Sequence, residues 1–326
     1  MVKKAVGVKR RWLAGCCLTV MAGWLALPLA AQGKEKPEIG SPDVFAQVAL
    51  IQEELELIRR YMGKPLDTRP EIKVRNAAPR EVFFQALTLF RKADQLCFEL
   101  TRRRAVMQGF PSSEIRTSHV FVLLRAARQC LQLVKKELKI SETRAAPPPD
   151  PAKTPTDVFR LIVQVNRQLN LLLIRRFSPS DVYQQVTQAI NYAAFLLRRF
   201  SDVQTRIPAA PAFVRGKFPA DVYRRLIKCF GLIQEIARRS GLTILEREPT
   251  DEDLLHVNPG DDYNMASLIV SELAYINRKA GNAVPPQSYF PGLKFPSHVY
   301  QRVGILEAQL TELLKQVKAR PNWLGG

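Results

Sequence analysis

The chain has 326 residues, with 49 lysines and arginines against 30 aspartates and glutamates, and a formal net charge of +19. This length is sufficient for two modest domains. The absence of CxxC and CxxCH motifs excludes a disulfide-rich scaffold and a c-type cytochrome. The basic excess favours anionic partners, such as lipid head groups, acidic glycans or acidic proteins.

The first predicted element, residues 1–31, has the pattern of a secretory signal peptide. Five basic residues and no acidic one precede or open an apolar run from Trp12 to Leu29, and small residues that suit cleavage follow. An uncleaved inner-membrane anchor is the alternative, because the run is long. Both interpretations place the chain after Lys34 outside the cytoplasm, in the periplasm. This location argues against nucleic acid as a partner.

A short phrase, Pro-x-(Asp/Glu)-Val-(Phe/Tyr), then returns eight times along the chain. Counted from the valine position, the copies are 38, 38, 38, 24, 40, 40 and 37 residues apart. Such a period indicates a repeat architecture. The third position of the phrase is held by Asp43, Glu81, His119, Asp157, Asp181, Asp221, Asp261 and His298.

Each copy of the phrase is predicted to begin a helix. In Thr154-Pro155-Thr156-Asp157, threonine suits the N-cap, proline suits the first turn, and the acid reaches back to the backbone N–H of the cap. The acid also lies at the positive end of the helix dipole. The third-position residues are therefore expected to be structural, as helix-start groups.

Apolar residues at three- and four-residue steps follow every copy and predict eight helices in an all-α fold. Many of these helices end in basic pairs, and proline-rich connectors join most of them. The single short spacing, between the fourth and fifth copies, predicts a sharp corner there. We expect two related four-helix units, 41–176 and 178–320, produced by duplication; an α-solenoid of eight stacked repeats is the alternative.

The aromatic residue after the valine is the feature closest to a binding site. It is phenylalanine in the first four copies and tyrosine in the last four. Packing between repeats is the favoured interpretation. In the alternative, the hydroxyls point toward a shared cleft near two arginines. The candidate binding residues are Tyr183, Tyr223, Tyr263, Tyr300, Arg224 and Arg225.

Catalytic and metal-binding motifs are not found in the sequence. His119 and His298 stand at helix starts, His256 lies in a loop, and none belongs to a metal-ligand spacing. Cys97, Cys130 and Cys229 fall on or beside the apolar helix faces, so buried thiols are expected, with one disulfide pair as the alternative. No cofactor, no metal and no catalytic residue is predicted.

The sequence therefore predicts an exported, non-catalytic helical-repeat protein of the bacterial envelope. Such a protein would bind or scaffold envelope proteins, anionic polymers or the membrane surface through its basic helix ends. The alternative is a small-ligand-binding or sensory bundle, with the tyrosine-bearing second half lining a pocket between helices.

Overall fold

Every copy of the repeated phrase begins a helix. A computed structural model describes residues 38–106, 114–248, 250, 252–289 and 291–324, so the predicted signal peptide with Cys16 and Cys17 lies outside the described residues. The long helices are α1 (Ser41–Tyr61), α2 (Pro79–Thr101), α3 (Thr117–Glu137), α4 (Pro155–Leu172), α5 (Pro179–Leu197), α6 (Pro219–Arg239), α8 (Pro259–Lys279) and α9 (Pro296–Ala319). A short helix, α7 (Glu252–Leu255), precedes α8. The predicted all-α repeat fold is confirmed.

The third residue of each phrase does what the sequence predicts. In all eight helices its side chain accepts a hydrogen bond from the backbone N–H of the N-cap residue, as Asp43 does from Gly40 at 2.8 Å. The histidines use Nδ1, at 3.0 Å for His119 and 3.1 Å for His298. These contacts have the geometry expected of helix-start groups, and the contribution of the groups to stability stays a prediction.

The valine of the phrase lies in the core. In seven copies it is at most 3% exposed, and these valines join helices into one hydrophobic cluster. The seventh copy has Asp262 at this position, also 3% exposed. Burial, together with the nearby charge of Asp261, raises the pKa of Asp262 well above its usual range.

The long helices pack in two sets with the same pairing. In the N-terminal set, α1 and α2 each pack against α3 and α4. In the C-terminal set, α5 and α6 each pack against α8 and α9. In both sets the first two helices lie diagonally opposite in a closed ring of four. A solenoid would instead pack each repeat against its sequence neighbours. The duplication stays a prediction, and matched pairing is what a duplication would produce.

Within each set the helices run parallel. In the N-terminal set, Ala77 just before the α2 cap donates its backbone N–H to Thr156 Oγ1 in the first turn of α4 at 3.2 Å. In the C-terminal set, Lys217 just before the α6 cap donates its backbone N–H to Ser297 Oγ in the first turn of α9 at 3.1 Å. Gln47 and Phe121, near the starts of α1 and α3, line one pocket, and seven residues further along each helix Arg128 Nε donates to Glu54 Oε1 at 3.2 Å. The long connectors therefore return the chain to the starting end of the set.

The two sets meet mainly through α2 and α8, which run antiparallel. Arg80 at the start of α2 lies against Glu272 late in α8, and Arg91 further along α2 reaches Tyr263 at the start of α8. Two three-residue strands, β1 (Lys73–Arg75) and β2 (Glu246–Glu248), also pair antiparallel between connectors of the two sets. The sequence did not predict these strands.

The fourth helix ends earlier than predicted. It stops at Leu172 rather than near Arg176, because Leu173 is extended and the Glu99 carboxylate accepts the N–H groups of Ile174 and Arg175 at 2.9 and 2.8 Å. This six-residue link, 173–178, is the short connector between α4 and α5. Among the described helices, none has both the length and the apolar character that crossing a membrane requires.

Candidate functional site

The four candidate tyrosines lie in separate places. Tyr223 and Tyr263 are buried, and their hydroxyls accept hydrogen bonds from Arg247 and Arg91. Tyr263 also stacks on Phe177, with ring centroids 4.1 Å apart. The structure does not bring the four hydroxyls into one cleft, because two of them are used in packing between the helix sets.

The two candidate arginines are occupied by ion pairs. Arg224 forms an exposed pair with Asp221 at 3.4 Å. Arg225 Nε donates to Glu307 at 2.6 Å and Nη1 donates to the carbonyl of Tyr300 at 3.0 Å. These contacts tie α6 to α9, so Arg225 acts in packing.

Tyr183 lies in an open groove of about 720 Å³ along α5. The floor is a stripe of α5 that runs from Tyr183 through Thr187, Asn191 and Phe195 to Arg198. The fifteen steps from residue 183 to residue 198, at about 1.5 Å each, make this stripe about 22 Å long. The walls are formed by residues 286–289 and 291–294 of the connector before α9, together with Ile207 and Arg302. The groove is therefore shaped for an extended ligand.

Three polar side chains of α5 hold the connector wall in place. Gln184 donates to Ser288 O at 2.8 Å, Gln188 accepts from Ser288 N at 2.7 Å, and Asn191 donates to Pro286 O at 3.3 Å. They stand at steps of four and three residues, so they share one face of the helix. The polar stripe can be seen in the sequence, but the sequence does not show that the connector packs on it.

The groove carries positive charge over aromatic rings. Arg198 lies 4.0 Å from the ring centre of Phe195, and Lys294 and Arg302 lie 5.2 and 5.3 Å from that of Tyr183. None of these three cations makes an ion pair with a carboxylate of the described residues. Carboxylates are also absent among the described lining residues. The groove therefore offers three cations to an anionic ligand.

Two of the basic helix ends, by contrast, are partly neutralised, because each pair of arginines shares one glutamate. Arg59 and Arg60 both bind Glu56 at 2.6 Å, and Arg238 and Arg239 bind Glu235 at 2.7 and 2.5 Å. Arg59 and Arg60 lower the pKa of Glu56 to about 2. A helix end that carries its own carboxylate attracts a polyanion less than the groove does.

A second cluster of charge is buried between the two sets, in what we call the seam: Asp67, Arg69, Lys92, Asn166 and Asp261. Lys92 is 1% exposed and donates to Asn166 O at 3.0 Å. Arg69 binds Asp67 at 2.6 Å and Asp261 at 2.9 Å. Burial lowers the pKa of Lys92 to about 7, although the charge of Asp261 partly opposes this shift.

Two carboxyl groups are in contact near the other end of the α2–α8 interface. Glu81 and Glu272 are fully buried, and Arg80 binds Glu81 Oε1 at 2.5 Å while its Nε lies 3.6 Å from Glu272 Oε2. Burial first, and then the charge of Glu81, raise the pKa of Glu272 well above its usual range. The surroundings of Glu272 therefore favour its protonated form.

The seam has little room for a ligand. A cavity lined by Gln85, Phe159, Tyr223 and Asn264 measures about 30 Å³. That volume holds one or two water molecules rather than an organic molecule. The titratable groups of the seam therefore act on stability, and the open groove is the better candidate for binding.

The three cysteines of the described chain are buried free thiols, as expected, and the alternative disulfide is not formed. Burial raises the pKa of Cys130 to about 12 and raises that of Cys229 further still. A thiol with so high a pKa carries almost no thiolate at neutral pH and is a poor nucleophile or metal ligand. Among the described residues, groups of histidine, cysteine and carboxylates that could hold a metal ion are absent.

The chain was also compared with known proteins. No protein-family model, no curated protein and no solved structure matches it. Its function is therefore inferred from its own residues.

Proposed function

We propose that this chain is an exported, non-catalytic binding protein of the bacterial envelope that holds an acidic polysaccharide in the α5 groove. The observation that carries the proposal is the set of three cations, Arg198, Lys294 and Arg302, that lie on an open aromatic groove without carboxylate partners in the described chain. An anionic chain would supply the missing counter-charges.

The shape and the rings of the groove favour a sugar polymer. A floor about 22 Å long accommodates several linked rings in a row. Tyr183, Phe195 and Tyr289 present aromatic surface, and Tyr289 is 87% exposed. An aromatic ring gives an apolar face with a polar edge, which suits the mixed surface of a sugar. Asn191 and Gln287 add amide groups that can hydrogen-bond hydroxyls.

The lining favours binding without chemistry. Its described residues include no carboxylate, histidine or cysteine. Cleavage of a glycosidic bond ordinarily uses a pair of carboxyl groups that flank the bond. Periplasmic location follows from the predicted signal peptide and is part of the proposal. The small-ligand alternative is less favoured, because the cavity that Tyr223 lines is about 30 Å³.

The proposal is tested with alginate, a polysaccharide of uronic acids, and with neutral dextran as the comparison polymer. The variant Arg198→Gln, Lys294→Gln, Arg302→Gln removes the three groove cations. Each exposed charge contact contributes about 0.2–1 kcal/mol, so the three together contribute about 0.6–3 kcal/mol, and we expect alginate affinity to fall by about threefold to a hundredfold. Titration calorimetry measures the dissociation constant at low and physiological salt, and wild-type affinity should fall as salt rises.

A matched control separates the groove from the overall charge. Arg103, Lys136 and Arg176 are exposed and precede α5 in the chain, and changing all three to glutamine lowers the net charge equally. This control should retain alginate affinity within about twofold. Equal losses in both variants would show diffuse attraction to the whole basic surface and would refute the groove. Dextran binding as tight as alginate binding would also refute the proposal.

A further inference from the structure

Two helices of the C-terminal set begin with a phenylalanine at the N-cap. Phe218 caps α6 and Phe295 caps α9, and neither side chain can accept a backbone hydrogen bond. Their rings are 70% and 58% exposed. Serine, threonine, aspartate and asparagine are strongly preferred at this position. Ser178 and Asn258 follow that preference in the same set. These two side chains therefore contribute no capping hydrogen bond to α6 and α9.

The two rings belong to a larger apolar surface at one end of the bundle. The starts of α6 and α9 are adjacent, since Lys217 N donates to Ser297 Oγ at 3.1 Å. The ring centres of Phe213 and Phe295 lie 5.1 and 5.8 Å from that of His298. We call this surface the phenylalanine end; its exposed apolar residues are Phe213, Val214, Phe218, Leu293 and Phe295.

Basic residues accompany the phenylalanine end. Arg215 is exposed, Lys217 and Lys294 directly precede the two capping phenylalanines, and Arg224 follows on the first turns of α6. The acid in this part of the sequence is Asp221, which caps α6 and binds Arg224. Exposed aromatic side chains ringed by lysine and arginine have the character of a surface that inserts into the interface of an anionic bilayer.

We propose that the phenylalanine end seats the protein on an anionic phospholipid surface, with Phe218 and Phe295 inserted among the head groups and the neighbouring cations on the phosphates. Charge complementarity commits the proposal to this occupant, because Arg215, Lys217 and Lys294 remain in excess after Asp221 pairs with Arg224. The proposal goes beyond the polysaccharide groove. The two surfaces share Lys294, so the vesicle test leaves Lys294 unchanged. The groove opens along the side of α5, so a protein seated by its end leaves the groove open.

The two capping positions allow a test in which folding improves while binding is lost. Phe218→Ser with Phe295→Ser introduces a side chain that caps the helix, as Ser178 does for α5. The melting temperature should therefore rise. Affinity for vesicles of phosphatidylcholine and phosphatidylglycerol should fall at least about tenfold, equivalent to about 1.4 kcal/mol. Cosedimentation measures binding by residues 38–326, which hold the whole described core as one compact unit.

The matched control removes two equally exposed apolar side chains from the N-terminal half. Tyr61 is 61% exposed and Ile174 is 74% exposed, so Tyr61→Ser with Ile174→Ser makes a similar change elsewhere. This control and the groove variant Arg198→Gln should bind the anionic vesicles as wild type does, within about threefold. Pure phosphatidylcholine vesicles should bind wild type more weakly, because the charge attraction is lost.

Three results would overturn the proposal. The first is wild-type protein that does not bind the anionic vesicles. The second is a Phe218→Ser, Phe295→Ser variant that binds them undiminished. The third combines two observations: the variant changes its oligomeric state in analytical ultracentrifugation, and the wild type does not bind vesicles. This result would assign the surface to a second copy of the chain. A loss of alginate binding in the groove variant Arg198→Gln leaves each of these results unaffected.

Discussion

Lys92 is a lysine that folding takes wholly out of water. It is 1% exposed in the seam, with Asn166 O as its hydrogen-bond acceptor and Asp261 as the nearest source of favourable charge. Burial lowers its pKa from 10.5 to about 7. The unfolded chain therefore holds this proton more tightly than the folded one, and Lys92 makes stability rise with pH between about 7 and 10.5.

We expect Lys92→Met to remove that pH dependence. Methionine has a similar length and no charge, and replacing a buried ion with an apolar side chain is often neutral or stabilising. The variant should gain stability relative to wild type by about 1.4 kcal/mol for each pH unit on going from about pH 10 down to pH 7. Urea unfolding across that range measures the difference. Parallel stability curves for variant and wild type would show that Lys92 is not the buried cation described here.

The buried carboxyls act with the opposite sign. The pKa values of Asp262 and Glu272 are raised by burial, so the folded chain holds their protons more tightly than the unfolded one. Below the pKa that these groups have in the unfolded chain, both are protonated and their contribution to stability is fully present. This contribution is lost as the pH rises through their higher pKa in the folded chain. The interface between the two sets therefore contains groups that respond to acid and to base in opposite directions.

At the scale of the helix, the constant feature of the repeat is the acceptor at the third position, while the cap residue varies. The eight N-cap residues are Gly40, Ala78, Arg116, Thr154, Ser178, Phe218, Asn258 and Phe295. Only threonine, serine and asparagine supply a side-chain cap, yet all eight cap N–H groups have the third-position acceptor. The acceptor can therefore stabilise the helix in two ways, through the hydrogen bond from the cap N–H and through its position at the positive end of the helix dipole.

At the third position of the phrase, removing the acceptor should lower the free energy of unfolding, and adding a negative charge should raise it. Asp157→Ala and Asp181→Ala should each lower the free energy of unfolding by about 0.5–2 kcal/mol, and additively if the two sites lie more than about 10 Å apart. His298→Asp should raise it by about 0.3–1 kcal/mol through the helix dipole. Urea unfolding measures all three. Glu137→Ala at the end of α3 is the control, and a loss there equal to that of Asp181→Ala would contradict the capping role.

At the scale of the whole molecule, the two sets repeat a contact as well as a pairing. Lys153, before α4, lies 4.8 Å from the ring centre of Phe45 on α1. Lys294, before α9, lies 5.2 Å from the ring centre of Tyr183 on α5. Each joins the fourth helix of its set to the first. Only in the C-terminal set does the lysine also line the described groove.

This correspondence makes the two lysines a matched pair. Lys153→Met and Lys294→Met should each lower the free energy of unfolding by about 0.5–1 kcal/mol, the usual contribution of an exposed cation–aromatic contact. Alginate affinity should fall in Lys294→Met and stay unchanged in Lys153→Met. Thermal unfolding and titration calorimetry give the two quantities. Equal effects on affinity would show that the groove has no special part in binding.

The helix starts, the all-α class and the buried valines were predictable from the sequence because each depends on residues within a few positions of one another. Proline, the third-position acceptor and the valine all lie within one helical turn of the cap. Apolar residues at three- and four-residue steps then define the face that must be buried. The short strands and the early end of α4 were missed, because Glu99 and the pairing of distant connectors determine them.

The groove and the seam were decided only by tertiary structure. Gln184 and Ser288 are separated by 104 residues, and Arg69 and Asp261 by 192. Such pairs form only after the connectors return along the helices and the two sets meet, and no local pattern specifies which side chains then share a site. The same packing removed Tyr223 and Tyr263 from solvent and left Tyr183 in the groove, although all three occupy the same place in the repeated phrase. A side chain's place in the repeat determines its position on its helix, whereas its neighbours from other helices determine whether it is buried or can bind.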